Sequence, residues 1–452
     1  MEFTRRNFMK TMAASAAGLV TLGAGATFSA KSYGRILGAN DRVRVGIVGF
    51  SDRAKDALIP CFWDHSQELN FEIVAVSDIW NRRREEGVAF ILQKTGQRVD
   101  AARNNEELYE KHHPDAVIIS TADFQHALHT VEAVQAGCDV YVEKPFAETM
   151  ADNRLALRVV SQSDRIVQVG SQRRSGANYI AANEYIKSGK FGPITFVEMT
   201  WNVNQPGRWR RPHLVAAIKE SDTDWKRYLM NRPYEPWDPR KYIEYRLFWP
   251  YSSGIPGQWM CHQIDTVHWF TDLPYPRSVV AGGGIYVWKD GRRNCDTLTA
   301  VFDYGPLTDP STGFQVVYSS RMHNAAGGVK EYYFSNGGKL DLDQNLITNE
   351  GGLTAEHAAA MGMSANLLER VQLPETRVVT SAATGTDPMT SAHMRNWMEC
   401  VRSRQKPNAD VVAGYHHSIA TIMTNAALRT GQQATFDPNH QEVLVGGKPF
   451  LY

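Results

Sequence analysis

Four short β-branched runs, separated by helix-like segments, constrain the fold of this chain more than any other feature. The runs cover residues 42–49, 71–78, 116–121 and 138–142, and helical patterns at 82–95 and 124–136 lie between them. Continuous apolar runs of this length are typical of strands that are buried on both faces of a sheet. Strands that alternate with helices predict βαβ units, so we expect an α/β fold that begins with a doubly wound parallel sheet.

The remainder of the chain predicts a second α/β domain. Strand-like runs recur at 194–202, 278–288, 298–304, 315–320 and 330–334, mostly bounded by Gly, Pro or Asp. This pattern is typical of antiparallel neighbours that are joined by turns. We therefore divide the chain into residues 41–165 and 166–452. Helices at 391–402 and 411–429 would return toward the first domain, and an insertion at about 204–255, rich in Pro, Trp and Arg, could shape a substrate cleft.

A degenerate glycine motif follows the first strand and predicts a Rossmann domain that binds a dinucleotide. Gly49 is the first glycine of a G-x-G-x-x-G/A pattern, while Ser51 and Ala54 occupy the other two places. Both are small enough for a pyrophosphate to approach the backbone and for helix and strand to pack closely. The candidate cofactor contacts in the first two strand ends are Gly49, Phe50, Ser51, Arg53 and Asp78.

Asp78 ends the second strand, where an acidic residue would accept hydrogen bonds from the adenosine ribose of NAD. The following arginines, Arg82, Arg83 and Arg84, could instead bind the 2′-phosphate of NADP or form a solvated helix face. The sequence therefore favours NAD and leaves NADP possible.

Composition excludes several classes of protein. The chain has 452 residues, 43% of them hydrophobic, and a formal net charge of +1. This balance is ordinary for a globular protein of two domains and provides no bulk attraction to nucleic acid or anionic lipid. The five cysteines are scattered without CxxC spacing, so neither a disulfide framework nor a zinc site is indicated.

The N-terminus resembles a twin-arginine export signal. Arg5 and Arg6 precede an apolar, Ala/Gly-rich stretch that ends near residue 30, and Ala24-Gly25-Ala26 offers a small-residue cleavage site. We expect residues 1–30 to be a signal peptide and the protein to be periplasmic, with a short membrane anchor as the alternative. Because this route carries folded proteins, we also expect a tightly bound cofactor.

The strand at 140–142 ends in Glu143-Lys144-Pro145, which places a lysine at the carboxyl edge of the predicted parallel sheet. Open α/β sheets bind their ligands at this edge. Oxidation of a carbinol by hydride transfer needs an acid/base group within hydrogen-bond reach of the hydroxyl. Lys144 could serve if burial lowers its pKa, and it is our first catalytic candidate.

With the strand and glycine turn, Asp78, the segment 121–126 and Glu143-Lys144-Pro145 in order, the chain resembles the Gfo/Idh/MocA family of sugar oxidoreductases. The resemblance covers nearly everything after residue 40, including 169–174 and 257–268. It implies a Rossmann domain followed by an α/β domain whose large, open, mostly antiparallel sheet often forms an oligomer interface. We therefore expect a homo-oligomer.

The resemblance also implies site residues. Lys144 would contact the sugar hydroxyl and the nicotinamide ribose, and the remaining cofactor contacts would be Ser120, Thr121, His126 and Glu143. His126 could alternatively cap or pack at the start of its helix.

One position departs from the family pattern. The family carries an Asp four residues before a His on a helix of the second domain, and here these positions are Gln258 and His262. An amide can orient a hydroxyl but cannot take its proton. The proton role therefore moves to His262, alone or with Lys144.

The candidate substrate contacts are Arg173, Gln258 and Asp265. Asp265 could instead fix its helix or orient a neighbour. We predict no metal site, because His262 and His268 would point away from each other on a helix.

Seven of the eleven tryptophans lie between residues 201 and 269, interleaved with Arg208, Arg210, Arg211, His213 and Arg246. Aromatic faces beside polar donors suit a sugar pocket, and they equally suit a core or a dimer interface.

We expect an exported protein whose partner is a small carbohydrate, with no nucleic-acid partner and no membrane association once its signal is removed. Three hypotheses follow for its function. The leading one is a nicotinamide-dependent oxidoreductase of a sugar, glycoside or polyol. The second is a glycosidase that uses NAD for transient oxidation and elimination with no net redox change. The third is a non-catalytic binding protein on the same fold.

Overall fold

A six-stranded parallel sheet forms the first layer of the protein. The computed structural model describes residues 41–309, 311–375 and 385–451, so the segment at 1–30 that resembles an export signal lies outside the described residues. The strands of the sheet are β1 Val43–Val48, β2 Phe71–Ser77, β3 Asp100–Ala102, β4 Ala116–Ile119, β5 Asp139–Val142 and β6 Val167–Val169. Their order is β3-β2-β1-β4-β5-β6, and every adjacent pair is parallel.

This order reverses beside β1, so the topological switch point lies between β1 and β4. Ligands of open α/β sheets bind outside the strand ends at such a point. The predicted doubly wound parallel sheet is confirmed.

Two strands of this sheet differ from the sequence-based expectation. Asp100–Ala102 was not predicted, because it is only three residues long and its first two residues are exposed. Val167–Val169 pairs with β5 although the first domain was expected to end at residue 165. The buried Gln168 interrupts its apolar pattern. The parallel sheet therefore extends past the predicted boundary.

Helices and helical turns connect these strands. They are the π-helical turn Ala54–Leu58 with its continuation Ile59–Leu69, Asn81–Thr95, Asn105–Glu107 with the π-helical turn Leu108–His112, the 3-10 turn Asp123–Gln125 with its continuation His126–Gln135, and Met150–Ser161. The last helix begins where the Thr149 side chain accepts a hydrogen bond from the Asp152 N–H. Such N-caps satisfy backbone donors that have no partner within the helix.

A second sheet contains eleven strands in the described part of the chain. They are β7 Ile194–Asn202, β8 Ser278–Gly284, β9 Thr297–Tyr304, β10 Phe314–Arg321, β11 Val329–Ser335, β12 Gly338–Asp341, β13 Leu346–Thr348, β14 Val371–Gln372, β15 Ala434–Asp437, β16 Glu442–Val445 and β17 Lys448–Pro449. Their order is β14-β13-β12-β11-β7-β10-β9-β8-β15-β16-β17. Among these described strands only β7 and β10 pair in parallel, so the expectation of a large, mostly antiparallel sheet is confirmed.

Strand β8 ends at Gly284 rather than at residue 288 as predicted. The carboxylate of Asp296 accepts hydrogen bonds from the N–H groups of Tyr286, Val287 and Trp288 at 2.8–3.0 Å. These donors are therefore satisfied outside the sheet, and the strand stops before them.

One face of the second sheet is covered by helices that also reach the first sheet. The remaining helices of the described chain are Ala177–Lys187, Pro212–Ala217, Trp225–Leu229, Pro239–Ile243, the π-helical turn Pro256–Met260 with its continuation Cys261–Thr271, Ala355–Ala360, Pro388–Ser403 and Val411–Thr430. Trp397 lies in the core cluster that contains Val45 and Ile47 of β1, whereas Ile419 lies in the cluster that contains Met199 of β7. The two sheets belong to one compact unit. No described helix is long and apolar enough to cross a bilayer.

Candidate active site

A cleft of about 980 Å³ opens at the carboxyl ends of β1, β4 and β5, at the topological switch point of the sheet. It continues to the helix that begins at Pro256 and is bordered by residues 204–255, which we call the cover segment. Of the predicted site residues, those that line the cleft are Gly49, Phe50, Ser51, Arg53, Asp78, Ser120, Thr121, His126, Glu143, Lys144, Arg173, Gln258 and His262. The structure thus brings together every predicted site residue except Asp265.

The turn after β1 has the geometry of a dinucleotide cradle. Gly49 has φ +83°, and a Cβ there would meet the Thr121 Cγ2 atom at 2.7 Å, so only glycine fits. The Ser51 hydroxyl lies 2.5 Å from the Ser120 hydroxyl and joins this turn to the end of β4. Among the described residues, the buried Thr121 hydroxyl has no hydrogen-bond partner. The cradle and this open hydroxyl fit a nucleotide.

Asp78 supports the same turn from the end of β2. Its Oδ2 accepts a hydrogen bond from the Phe50 N–H at 2.9 Å, and its Oδ1 accepts one from the Trp80 N–H at 2.8 Å. Burial raises the pKa of this carboxyl, and the two backbone donors oppose that rise. A carboxylate oxygen accepts more than one hydrogen bond, so Asp78 keeps acceptor capacity for a ribose.

The neighbouring arginines are engaged with protein groups. Arg82 pairs with Glu86 at 2.7 Å, and Arg83 pairs with Asp52 at 2.8 Å. Arg84 donates a hydrogen bond to the Asp78 carbonyl oxygen at 2.8 Å. A 2′-phosphate would have to compete with these partners.

Lys144 lies at the end of β5 and is half-buried at the cleft wall. Its ammonium donates a hydrogen bond to the Gln258 carbonyl oxygen at 2.7 Å. Burial lowers the pKa of Lys144, although nearby acidic groups oppose the shift. A lowered pKa is the property that an acid/base lysine needs.

Glu143 is held by Arg53 rather than open to the cleft. Their charged groups form an ion pair at 2.9 Å. Burial alone would raise the pKa of the Glu143 carboxyl, but Arg53 and Lys144 outweigh burial and lower it. Glu143 is therefore ionised and connects the helix after the glycine turn to the strand that carries Lys144.

His262 lies one turn after Gln258 and keeps part of its ring in the cleft. The ring stacks on Trp201 with centroids 5.8 Å apart, and within the described chain its nitrogens form no hydrogen bond. Burial, assisted by the charge of Lys144, lowers the pKa of His262 well below its ordinary value. His262 is therefore neutral near pH 7 and can accept a proton.

The Gln258 amide is already engaged on both sides. Its Nε2 donates to Asp123 Oδ2 at 2.6 Å, and its Oε1 accepts from Arg246 Nε at 2.8 Å. Asp123 also accepts a hydrogen bond from the Ser252 hydroxyl at 2.5 Å. The sequence analysis did not select Asp123, although it lies within the segment 121–126. The carboxylate that is missing at position 258 is thus present one hydrogen bond away.

His126 packs at the start of its helix, which was the alternative interpretation of this residue. Its ring nitrogens face the carbonyl oxygens of Pro145 at 2.8 Å and Thr121 at 3.3 Å. Burial lowers its pKa, so the ring is neutral and only one nitrogen donates. His126 therefore links the two strand ends that carry Thr121 and Lys144.

Asp265 does not contact the cleft, and its prediction as a substrate contact is wrong. Its carboxylate is 1% exposed and receives two hydrogen bonds from Arg174, at 2.8 and 3.0 Å. Arg173, by contrast, lines the cleft while pairing with the buried Glu331. No group of three or more potential metal ligands occurs in the part of the chain that the structure describes.

The tryptophans contribute to both the core and the cleft. Trp225 is buried in the core of the second sheet. Trp201, Trp209 and Trp259 line the cleft; the rings of Trp201 and Trp259 stack with centroids 6.0 Å apart, and the Trp209 ring is tilted against Trp259 at 5.4 Å. Trp209 and Trp259 also belong to that core cluster, so the same side chains pack in the core and face the cleft.

Comparison with curated proteins matches the first sheet to a known family. Residues 43–171 match the GFO_IDH_MocA profile, described as "Oxidoreductase family, NAD-binding Rossmann fold". Inositol 2-dehydrogenase of Agrobacterium fabrum is 28% identical over 220 residues, covering 47% of this chain and 59% of that protein. The corresponding enzyme of Rubrobacter xylanophilus is 29% identical over 166 residues, covering 35% of this chain and 44% of that protein. The chain thus spans about half the length of the curated relatives it matches.

Solved structures share the whole fold. The WlbA dehydrogenase of Bordetella pertussis, in complex with NADH and UDP-GlcNAcA, superposes with a TM-score of 0.62 at 16% identity, covering 88% of this chain and 99% of that one. Levoglucosan dehydrogenase, in complex with NADH and levoglucosan, has a TM-score of 0.62 at 12% identity, covering 87% and 99%. At these identities the likeness establishes the fold, while the family model of NAD-binding Rossmann-fold oxidoreductases matches residues 43–171 of the chain.

Proposed function

We propose that this protein is an NAD-dependent oxidoreductase that transfers a hydride between the cofactor and a carbinol carbon of a sugar, glycoside or polyol. One observation carries the proposal: the half-buried Lys144 and the neutral His262 line the same cleft as the glycine turn of an NAD-binding domain. The relatives named inositol 2-dehydrogenase and the structural neighbour that binds levoglucosan support a polyol or sugar substrate.

The residues of the cleft fit the parts of this reaction. Bound NAD would supply the hydride acceptor. Gly49, Thr121 and Asp78 would hold its nucleotide, and the engaged arginines after β2 favour NAD over NADP. Lys144 would donate a hydrogen bond to the reacting hydroxyl, and His262 would accept the proton that leaves it.

The substitution Lys144→Ala tests the proposal. We expect turnover to fall about 10²- to 10⁴-fold, the usual contribution of a positioned acid/base group. NADH binding, measured by nicotinamide fluorescence, should persist because the Gly49 turn is untouched. Lys190→Ala is the matched control, since Lys190 is exposed. Full turnover in Lys144→Ala would contradict the role of Lys144.

The cover segment favours a second candidate, the redox-neutral glycosidase. Leu214 and Ile218 pack on Trp80 beside Asp78, and Arg211 lies 3.6 Å from Asp52. A segment placed over the nucleotide side favours a cofactor that stays bound through turnover, as that reaction requires. Incubation with NAD and a panel of sugars and glycosides distinguishes the two: net reduced nicotinamide indicates a dehydrogenase, and released sugar without it indicates the glycosidase. Silence in both assays would favour a binding protein.

Export, tight cofactor binding and homo-oligomerisation are proposals of the same kind. Export rests on Arg5 and Arg6 and is tested by fractionating cells that express the full chain or its Arg5→Lys/Arg6→Lys variant. Cofactor retention is tested by the nucleotide content of the purified protein. The oligomeric state is tested by light scattering.

A further inference from the structure

Two arginines of the cover segment form a cationic wall of the cleft beside the reacting end. The Arg208 guanidinium lies 5.6 Å from the ring centroid of Trp259 and 6.0 Å from that of Trp209. Trp259 stacks on Trp201, which in turn stacks on His262. Arg208 therefore belongs to the aromatic wall that carries the proposed proton acceptor, on the substrate side of the cleft.

The charge of Arg208 has no acidic partner. The guanidinium donates one hydrogen bond, from Nη1 to Gln205 Oε1 at 2.6 Å, and its buried Nε has no partner within the described residues. Burial and the cations Arg246 and Arg211 lower the pKa of Arg208 to about 10, so it remains charged at pH 7. An unpaired charge removed from water is costly unless a ligand supplies the opposite charge.

Other arginines at the cleft show the contrast. Arg53 pairs with Glu143, Arg173 with Glu331, and Arg210, next to the cleft, with Glu244. Arg208 forms no such pair in the described part of the chain. The Arg246 guanidinium also forms no ion pair with a described carboxylate, so both cations of this wall lack an acidic partner.

Arg246 connects this cation to the reacting end. Its Nε donates to Gln258 Oε1 at 2.8 Å, and the Gln258 carbonyl oxygen accepts from Lys144. Its guanidinium lies 4.6 Å from the Tyr245 ring centroid. A single small substrate could therefore contact Arg208 and Arg246 with an anionic group and Lys144 and His262 with its reacting hydroxyl.

We propose that Arg208 and Arg246 form a subsite for a carboxylate of the substrate, so that the substrate class is an acidic sugar, such as a hexuronate or its glycoside. The assignment of this acidic sugar as the substrate rests on the proposed function. The binding of its carboxylate by the two arginines does not. The planar guanidinium matches a carboxylate in shape and charge.

The cofactor is a second source of an anion. Arg211 approaches Asp52 near the glycine turn, so the pyrophosphate of NAD could also meet this cluster. The test must therefore measure sugar binding and NAD binding separately.

The experiment is calorimetric titration of the purified full-length protein, with and without added NADH. The probes are D-glucuronate, D-galacturonate and D-mannuronate, each compared with its neutral hexose. We expect at least one hexuronate to bind about 10- to 100-fold more tightly than its hexose, as a charge-assisted hydrogen bond allows. Arg208→Gln should abolish this preference, Arg208→Lys should keep part of it, and NADH affinity should stay within about twofold in both.

The exposed Arg158, outside the cleft, provides the matched control Arg158→Gln, which should behave like the wild type. A lack of preference for every hexuronate, including a lack of binding, would overturn the inference. So would a loss of NADH affinity in Arg208→Gln equal to its loss of hexuronate affinity, which would assign the anion to the cofactor. Failure of the wild type to bind NADH would instead contradict the proposed function, and the hexuronate preference measured without NADH would still be decisive for the subsite.

Discussion

Three buried carboxylates near the cleft are each paired with one arginine. Glu143 pairs with Arg53, Asp265 with Arg174, and Asp152 with Arg232 at 3.1 Å. Burying a charge is costly unless a partner compensates it. These pairs therefore hold backbone segments at defined positions around Lys144 and His262.

Asp265 offers a test at the scale of single residues. Asp265→Asn should lower the free energy of unfolding by about 3–5 kcal/mol, because it leaves the Arg174 guanidinium buried and unpaired. Although burial opposes the shift, Arg174 lowers the pKa of Asp265 below its ordinary value. Its stabilising contribution is thus complete above the unfolded pKa of about 3.9 and is lost as the pH falls below it.

Denaturant unfolding at pH 7 and pH 3 measures both effects. The difference between wild type and Asp265→Asn should be large at pH 7 and smaller at pH 3. Asp343→Asn, at an exposed carboxylate, serves as control. Equal stability of Asp265→Asn and the wild type at pH 7 would show that this pair does not support the fold.

Sequence patterns predicted single residues well where local structure controls them. Glu143-Lys144-Pro145 identified Lys144 because a buried strand and its end are visible in a short run of letters. Gln258 was recognised as a departure, but its partner Asp123 lies 135 residues away, and no local signal connects the two. Asp265 shares a helix with His262, and only the position of Arg174 shows that it faces the interior.

At the scale of elements, the close packing of one helix on β2 supports the cofactor turn. Gly87 lies in the helix Asn81–Thr95, and a Cβ at this position would meet Val76 Cγ1 at 2.9 Å and the Phe50 ring at 3.0 Å. The Phe50 N–H is the donor that Asp78 holds. The helix, β2 and the glycine turn therefore form one packed unit.

Gly87→Val should separate the helix from this unit. Overpacking of this kind costs about 1–3 kcal/mol of stability. We also expect weaker NADH binding, because a displaced Phe50 shifts the turn. Thermal unfolding and NADH fluorescence titration measure the two effects. Gly282→Val is the control, since a Cβ at Gly282 meets no atom within 4 Å; equal effects in both variants would argue against the packed unit.

The periodicity of apolar residues predicted which segments are helices and which are strands, but it did not predict where every strand begins and ends. Helices at 82–95 and 411–429 were predicted nearly as observed, because they are long and end at Gly96 and Gly431. Asp100–Ala102 and the end of β8 were missed. Pairing with β2 places Asp100–Ala102, and the nearby Asp296 carboxylate ends β8; in neither case does the apolar pattern determine where the strand lies.

At the scale of the molecule, the cover segment bridges the two sheets. Trp225 and Tyr228 pack in the core of the second sheet, whereas Leu214 and Ile218 pack on Trp80 beside the end of β2. The nucleotide side of the cleft is thus bordered by residues anchored elsewhere. Release of a cofactor would require these contacts to open.

Leu214→Asp should therefore speed NADH release. A buried leucine contributes about 1.5–3 kcal/mol, so its loss from the contact with Trp80 should raise the dissociation rate about 10-fold or more. Stopped-flow displacement of NADH measures this rate. Leu307→Asp, at an exposed leucine, should release NADH at the rate of the wild type. An unchanged rate in Leu214→Asp would mean that the cover segment does not retain the cofactor.

The sequence by itself determined the parallel sheet, the glycine turn and the position of Lys144 at the sheet edge, because strand periodicity and φ requirements are local properties of the chain. Only the tertiary structure decided that Asp265 leaves the cleft, that Asp123 and Arg246 engage Gln258, and that residues 204–255 border the nucleotide side. These outcomes depend on burial and on contacts between residues far apart in the chain, and a local sequence pattern does not predict such contacts.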